Sequence, residues 1–413
     1  HGRSTPGSAG DPRLGLARFV RPSDTGAGAA QILVLNAGSS SLKVGLFEAA
    51  RLAQEGQGAV DWRPAAGNGP TGHAAALRDL LAPYDRARIT AVGHRVVHGG
   101  TRYQTSVRID ATVKAAIGEL AAVAPLHNPA ALEGIAAAEA LLPGVPQVAA
   151  FDTAFHSTLA PSAYLYGVPY AWYTAWGLRR FGFHGLSHAY CAGRAAELLG
   201  RPPAGLRLVI CHLGNGCSLA AVAGGRSVDT TMGFTPLDGV MMGTRSGAVD
   251  PGLLVHVLVQ GFLDVPALDH VLNYESGLKG IAGGSGDMRE VLAARAAGDA
   301  RAGLALDVYT ARIRAGIAAM VASLGGLDAL VFTAGVGEQA PAVRAEVVGP
   351  LAWLGATLDA AANAAGAADC DVAAPASRVR VLVLHTREDL MVAHETRRVL
   401  DGGPTAATPA APA

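Results

Sequence analysis

Ile32-Leu33-Val34-Leu35-Asn36-Ala37-Gly38-Ser39-Ser40-Ser41-Leu42-Lys43 is the stretch that decides the fold of this 413-residue chain. An apolar strand enters a tight turn of small, hydroxyl-bearing residues and returns through Val44-Gly45-Leu46-Phe47. Such a turn offers backbone N–H groups, hydroxyls and one ammonium to a common point, which is what polyphosphate oxygens require. It is not a Walker A loop, because the G-x-x-x-x-G-K-[ST] spacing is absent and Lys43 lies beyond the serines. Alone, a serine-rich turn reads more readily as an ordinary hairpin. The chain repeats the device, however. Leu208-Val209-Ile210-Cys211-His212-Leu213-Gly214-Asn215-Gly216-Cys217-Ser218-Leu219 is again strand, turn and return strand, and a third turn, Thr333-Ala334-Gly335-Val336-Gly337-Glu338, follows the apolar run at 329–332. Two such hairpins half a chain apart predict a duplicated α/β fold with a nucleotide held between its halves, since ligands favour clefts between domains and at strand ends.

Length and composition agree with two domains and a large core: half of the residues are hydrophobic and only 16% are charged. Lys+Arg equals Asp+Glu at 33 each, so the basic excess of a nucleic-acid binder is missing. The four cysteines, Cys191, Cys211, Cys217 and Cys370, form no C-x-x-C pair and no metal spacing, which points to a reducing, cytoplasmic setting. The longest uncharged run, 153–178, is broken by Pro161 and Pro169 and reads as core and loop, not a membrane span. Residues 1–30 are rich in Gly, Ser, Pro and Arg without an apolar h-region, and read as a disordered extension or a cloning remnant, not a signal peptide. Residues 402–413 read as a similar Pro/Ala tail.

Between these ends, periodicity predicts strands at 32–36, 42–48, 89–97 and 147–151 and helices at 73–82, 110–122 and 129–142. The second half carries strands at 207–212, 218–223, 226–230, 329–333 and 378–385. Its helices fall at 341–348, at 388–400 and in a region from Asp287 to Leu324 that breaks near Gly298. Residues 49–72 read as a variable, Gly-rich connection. Alternating strands and helices indicate an α/β class.

Polar residues sit at the ends of the apolar runs. Arg95, in Gly93-His94-Arg95-Val96-Val97-His98-Gly99-Gly100, and Arg245, in Met242-Gly243-Thr244-Arg245-Ser246-Gly247, both have small or apolar neighbours. Two such guanidinium groups suit a phosphoryl group and a carboxylate, although singly each reads equally well as half of a structural ion pair. His184 lies between glycines in Phe181-Gly182-Phe183-His184-Gly185-Leu186-Ser187-His188, and by itself reads as a hydrogen-bonded core histidine. His127 lies in a proline-bounded loop. Asp152, with Glu388 and Asp389, could supply carboxylates for Mg²⁺ beside a nucleotide.

The motifs NAGSSSLK (36–43), GHRVVHGG (93–100), APLHNP (124–129), FDTAFH (151–156), FGFHGLSH (181–188), CHLGNG (211–216), TMGFTPLDG (231–239), MGTRSG (242–247) and FTAGVGE (332–338) occur in this order. As a set they closely resemble the acetate kinase family, across about 31–400, within the superfamily of acetate and sugar kinases, heat-shock ATPases and actin. The resemblance implies a duplicated ribonuclease-H-like, actin-like ATPase fold, an active-site cleft between domains and a homodimer. One domain would span 31–152 plus 387–401, the other, with the nucleotide site, 153–386.

The implied activity is reversible transfer of phosphate from ATP to acetate, with Mg²⁺ as cofactor (Mn²⁺ able to substitute) and no nucleic-acid or membrane partner. The resemblance implies Asp152, Arg95, Arg245 and His184 as catalytic residues. Arg95, Val97, Leu126, Phe183 and Pro236 would form the acetate pocket. Nucleotide contacts would come from Lys43, from His212, Leu213, Gly214, Asn215 and Gly216, from Asp287, Met288 and Arg289, and from Gly335, Val336 and Gly337. Asn36, Ser39, Ser41, His127, His184 and Arg245 would meet the phosphates or the transition state, and Asn36 and Glu388 would serve the metal. The chain departs from the family at Met288, where an aromatic is usual, at Arg387, where asparagine is usual, and at Cys217, where serine is usual. Competing readings are a propionate or butyrate kinase on the same scaffold, a sugar kinase, and a noncatalytic actin-like nucleotide-binding protein. The two arginines and His184 argue against the last.

Overall fold

A computed structural model describes residues 28–38, 41–61, 71–125, 127–366 and 369–403. Ser39, Leu126, and most of the N-terminal extension and the C-terminal tail lie outside the described residues. The chain divides into two compact units, with boundaries at Phe151/Asp152 and Glu388/Asp389 and with Gly100–Gln104 grouped with the second.

The first unit holds β1 (Gln31–Ala37), β2 (Ser41–Glu48), β3 (Gln54–Asp61), β4 (Ile89–Val96), β5 (Val107–Arg108) and β6 (Gln147–Phe151) in the order β3-β2-β1-β4-β6-β5. The β1–β2–β3 meander is antiparallel, β1, β4 and β6 run parallel, and β5 returns antiparallel on β6. Leu33, Leu35, Val44 and Val92 form one core with Leu77 and Leu80 of the helix Thr71–Leu81 and Ala138 of the helix Asn128–Leu141. On the opposite face, Gly93 leaves no room for a side chain beneath Val392 and Thr396 of the helix Glu388–Leu400. Covered on both faces, β1 is a continuous apolar run and not an alternating one.

The second unit repeats this plan. Its strands are β7 (Arg207–Leu213), β8 (Cys217–Ala223), β9 (Arg226–Thr230), β10 (Ala329–Thr333), β11 (Cys370–Asp371) and β12 (Arg380–Val383), ordered β11-β12-β10-β7-β8-β9. Read from β9, the order and every pairing sense match the first sheet, strand for strand. Even the register irregularity recurs, between Leu46 and Phe47 and between Ala221 and Val222. One face packs on Cys191, Ala192 and Ala195 of the helix Gly185–Leu199. The other meets the helix Ala300–Leu324, whose Gly316 lets Leu219 approach.

The long apolar region breaks where the sequence predicts. Helix Met288–Ala296 ends before Gly298 (φ +91°), and Asp299 caps the next helix by accepting from Arg301 N and Ala302 N. Several readings need correction. The connection at 49–72 contains β3, and the edge strands β5 and β11 and the helices Gly185–Leu199, Pro251–Val259 and Val265–Tyr274 are additional. The third turn is the start of a short helix, Ala334–Gln339, and the strand expected at 378–385 narrows to Arg380–Val383. The uncharged run at 153–178 forms short helical segments, and no helix among the described residues is long and apolar enough to cross a membrane.

Candidate active site

His184 occupies the left-handed region (φ 56°) immediately before the helix Gly185–Leu199, an uncommon conformation for a residue other than glycine. Gly185 follows because a side chain there would collide with the carbonyl oxygen of Asp152, which accepts from Gly185 N at 3.0 Å. Asp152, buried and placed directly after β6, is thereby anchored beside His184. The ring of His184 stacks on that of His212, at 4.1 Å between centroids and 17° between planes.

Hydroxyls hold both rings. Ser218 Oγ lies 2.9 Å from His184 Nδ1 and 2.8 Å from His188 Nε2. Ser187 Oγ lies 2.8 Å from His212 Nδ1 and accepts from Thr386 Oγ1 at 2.8 Å. Behind them, His156 Nδ1 meets Ser227 Oγ and its Nε2 meets Phe183 O. Burial pushes His156 down to about 4 and His188 well below the usual histidine range, so both rings are neutral.

The turn after β7 completes the cluster. A Cβ built on Gly216 would lie 3.4 Å from Arg245 Nη1 and 3.4 Å from His184 Nε2. One built on Gly214 would lie 3.7 Å from the Ala334 side chain. Bare backbone therefore faces an arginine, a histidine and the Ala334–Gln339 helix at once. Arg245 is desolvated, which lowers its pKa, yet among the described residues its hydrogen bonds go only to Pro236 O (3.3 Å) and Met242 Sδ (3.9 Å), and no carboxylate pairs with it. A desolvated guanidinium without a counter-ion is costly, and here it flanks a glycine turn. The structural ion pair considered for Arg245 is absent among these residues.

Neighbouring segments close on the same turn. Gly243 N donates to Asn215 O at 3.3 Å, and Gly243 and Gly286 touch backbone to backbone, which brings Asp287 near the hairpin. Asp287 caps the helix Met288–Ala296, its carboxyl held down to about 2 by the Arg289 hydrogen bond; Met288 is buried and Arg289 exposed. Leu213 is buried, Gly335 is exposed with open space around it, and Val336 and Gly337 continue the short helix. Cys217 keeps its proton, pushed up to about 11 by burial, and donates to Gly214 O at 3.4 Å, closing the turn.

In the first unit, Asn36 stands opposite Lys43 on β1 and β2, with Asn36 half-buried and Lys43 exposed. Ser41 opens β2 and accepts Gly38 N through its carbonyl. Arg95 sits on β4 opposite Ala150, Val97 follows that strand, and His127 precedes the helix Asn128–Leu141. Glu388 begins the helix Glu388–Leu400 in the sequence segment that follows Thr386. Among the described residues, no group of three or more His, Cys, Asp or Glu forms a metal cage. A Mg²⁺ ion carried by polyphosphate needs only one or two protein carboxylates, and Asp152 and Glu388 are residues of that type in the second unit.

Several residues here escaped the sequence reading. Glu338 accepts from Ala334 N (2.9 Å) and Thr386 N (3.3 Å) and meets His385 Nδ1 (2.7 Å), fixing Ala334 at φ 64°. Arg344, fully buried, donates to Gly337 O, Glu338 O and Asn363. Ser187 and His188 lie inside FGFHGLSH, and Ser218 lies in the second hairpin, without an assigned part; the four-residue step from His184 to His188 was the available signal, since it sets both on one side of a helix start.

Two copies of one strand order, each leading to a glycine-containing hairpin, place the chain in the class of α/β kinases and ATPases built by duplicating a ribonuclease-H-like sheet. Residues 71–394 match the acetokinase family, and the chain belongs to that family. It is 53% identical over 399 residues to the acetate kinase of Gloeobacter violaceus, covering 88% of this chain and 98% of that protein. The solved structure of Porphyromonas gingivalis acetate kinase superposes with a TM-score of 0.82 at 37% identity, and that of a propionate kinase from Francisella tularensis with 0.83 at 37%. Each covers 90% of this chain and 100% of its own.

Proposed function

We propose that the chain catalyses reversible, direct in-line phosphoryl transfer between ATP and acetate, giving ADP and acetyl phosphate. The observation that carries this reading is Arg245, a desolvated cation with no carboxylate partner among the described residues, set beside Gly216 and His184. Acetate is already ionised at neutral pH, so the attacking oxygen needs no general base. The obstacle is the approach of one anion to another. Arg245 and His184 stabilise the charge spread over the equatorial phosphoryl oxygens, while Gly214–Gly216 and the Ala334–Gln339 helix receive the nucleotide phosphates through backbone N–H groups. From the first unit the reading takes Arg95 for acetate, Val97 for its methyl group, and His127, Asn36 and Lys43 for phosphate. Mg²⁺, held with Asp152 and Glu388, would neutralise charge on the polyphosphate.

The catalytic domains of this reading are 31–152 with 387–401, and 153–386, whereas the two compact units place Asp152, Arg387 and Glu388 with the second. A homodimer accompanies this reading: in the helix Pro251–Val259 no residue is buried, and Leu253, Val255, Val259, Phe262 and Val265 lie exposed. The four cysteines, none of them in a disulfide among the described residues, suit a reducing, cytoplasmic compartment. The test is acetate-dependent hydroxamate formation with MgATP and hydroxylamine, which traps acyl phosphates. Hydroxamate with acetate, and none with sugars or without acceptor, is the expected result. Folded, nucleotide-binding protein that forms none would refute the reading.

A further inference from the structure

His188 is wholly buried, four residues along the helix that His184 introduces. Its Nε2 meets Ser218 Oγ, and its Nδ1 has no hydrogen-bond partner among the described residues. Ser218 is equally buried, and its hydroxyl oxygen stands between two ring nitrogens, His188 Nε2 and His184 Nδ1. A hydroxyl has one hydrogen to give and two lone pairs to accept with; among the described residues no third group takes the Ser218 hydrogen, so Ser218 donates to one ring and accepts from the other.

The enclosed ring decides the direction. His188 lies against the His156 and His212 rings, at 5.6 and 6.2 Å between centroids, and burial keeps it neutral. A neutral imidazole carries a single N–H. Placed on Nδ1, that N–H would meet no acceptor among the described residues, and orphaned buried donors are the rarer defect in folded proteins. Placed on Nε2, it donates to Ser218. The Ser218 hydroxyl then donates to His184 Nδ1, which must be bare, and the proton of His184 sits on Nε2. That is the atom lying, with Arg245 Nη1, 3.4 Å from the space a Gly216 side chain would take.

We propose that His188, acting through Ser218, is a positioning residue that holds His184 in the tautomer protonated at Nε2, so that the ring meets the transferring phosphoryl group as a hydrogen-bond donor. The inference rests on the proposed role of His184 for its catalytic consequence, but the tautomer is a property of the resting protein. With Nδ1 supplied from behind, His184 offers Nε2–H to an anion without needing a net charge, and its ring plane is fixed by the same bond.

Long-range ¹H–¹⁵N spectra of imidazole-labelled full-length protein, assigned with His184→Gln, read the tautomer directly. The wild type should show His184 protonated at Nε2. Ser218→Ala should shift it toward the Nδ1–H form or a mixture, and should lower kcat roughly tenfold with KM for ATP and acetate little changed, as expected for loss of one orienting hydrogen bond. His188→Leu should do the same if it folds, and Ser218→Ala carries the test if it does not. A wild-type His184 protonated at Nδ1, or a tautomer unmoved by Ser218→Ala, overturns the inference. If the spectra behave as stated but His184→Ala turns over normally, the tautomer stands and it is the phosphoryl role of His184 that fails.

Discussion

The hairpins after β1 and β7 hold the same place in two sheets of the same order, yet they carry different chemistry. The pairs Ala37–Leu42 and Leu213–Cys217 close them, so the first turn is one residue longer. Beside each turn, the register sets Asn36 opposite Lys43 in one sheet and His212 opposite Ser218 in the other. The first pair is half-buried and exposed; the second is buried and hydrogen-bonded to partners distant in sequence. Surroundings diverge too. Residues 62–88 link β3 to β4, whereas 231–328 link β9 to β10 and bring in Arg245, Gly286 and Asp287. Duplication thus preserves the strand order that builds a backbone turn, and the side chains around each turn are free to specialise.

If the second hairpin carries the charge chemistry, Arg245→Ala is the most damaging change. It should lower kcat by roughly 10²–10³, about 3–4 kcal/mol, the scale of a lost transition-state donor. Thermal stability should hold or rise, because removing a desolvated cation without a counter-ion removes a cost of folding. Hydroxamate assays and thermal melts on the same preparation check both halves of this expectation. Near-normal turnover with a lowered Tm would make Arg245 structural and erase the contrast between the hairpins.

Acid should separate the two units less sharply. In the first, His94 is buried against Gln147 and pushed from the usual 6.5 down to about 4 by desolvation. In the second, His156 is pushed to about 4, and His188 lies well below its usual value. Because these folded-state values are depressed, the stability they contribute is complete above about pH 6.5 and is lost as pH falls toward 4, where the unfolded chain binds protons that the folded one refuses. Each group contributes a slope of at most about 1.4 kcal/mol per pH unit. Hydrogen exchange between pH 7 and 5 should therefore show β7, β8 and β10 losing more protection than β1 and β4. Equal losses, or larger ones in the first sheet, would mean that other groups govern acid sensitivity.

Legibility in the sequence followed how each element stays buried. β1, β7 and β10 read easily because they are apolar on both faces. β3, Gln54–Asp61, did not: its Gly56 and Gly58 leave bare backbone against which the Tyr84 ring and Leu80 pack, so its packing groups belong to residues more than twenty positions away. The helix Pro251–Val259 lacked a polar face to set its period. At the site, His184, Arg245 and the Gly214–Gly216 turn stood out through small-residue settings and motif order. The bridges made by Ser187, Ser218 and Glu338 span 4 to 199 positions and exist only once β7, β8 and the Gly185–Leu199 helix have packed. No periodicity encodes such a relation.

The smallest expected effect concerns the acetate methyl group, and it again sets one unit against the other. Of the proposed pocket walls, Phe183 and Pro236 in the second unit are bound to the machinery: Phe183 O meets His156 Nε2, and Pro236 O accepts from Arg245. Both contacts run through backbone carbonyls, so a change at either position that shifts the backbone moves a histidine or the key cation together with the pocket. Val97, half-buried after β4, is the wall that can be cut with the second hairpin left alone. The similarity of the chain to both an acetate kinase and a propionate kinase shows that fold does not choose the acid. One methylene is worth about 0.8 kcal/mol where there is room and costs about 1–3 kcal/mol where there is none. Wild-type kcat/KM should therefore fall from acetate to propionate to butyrate. Val97→Ala should narrow the acetate–propionate ratio by about fourfold, the equivalent of that one methylene, with the KM for ATP unchanged. A ratio that does not move places the methyl group against other walls, and a wild-type preference for butyrate overturns the choice of acetate while leaving an acyl kinase in place.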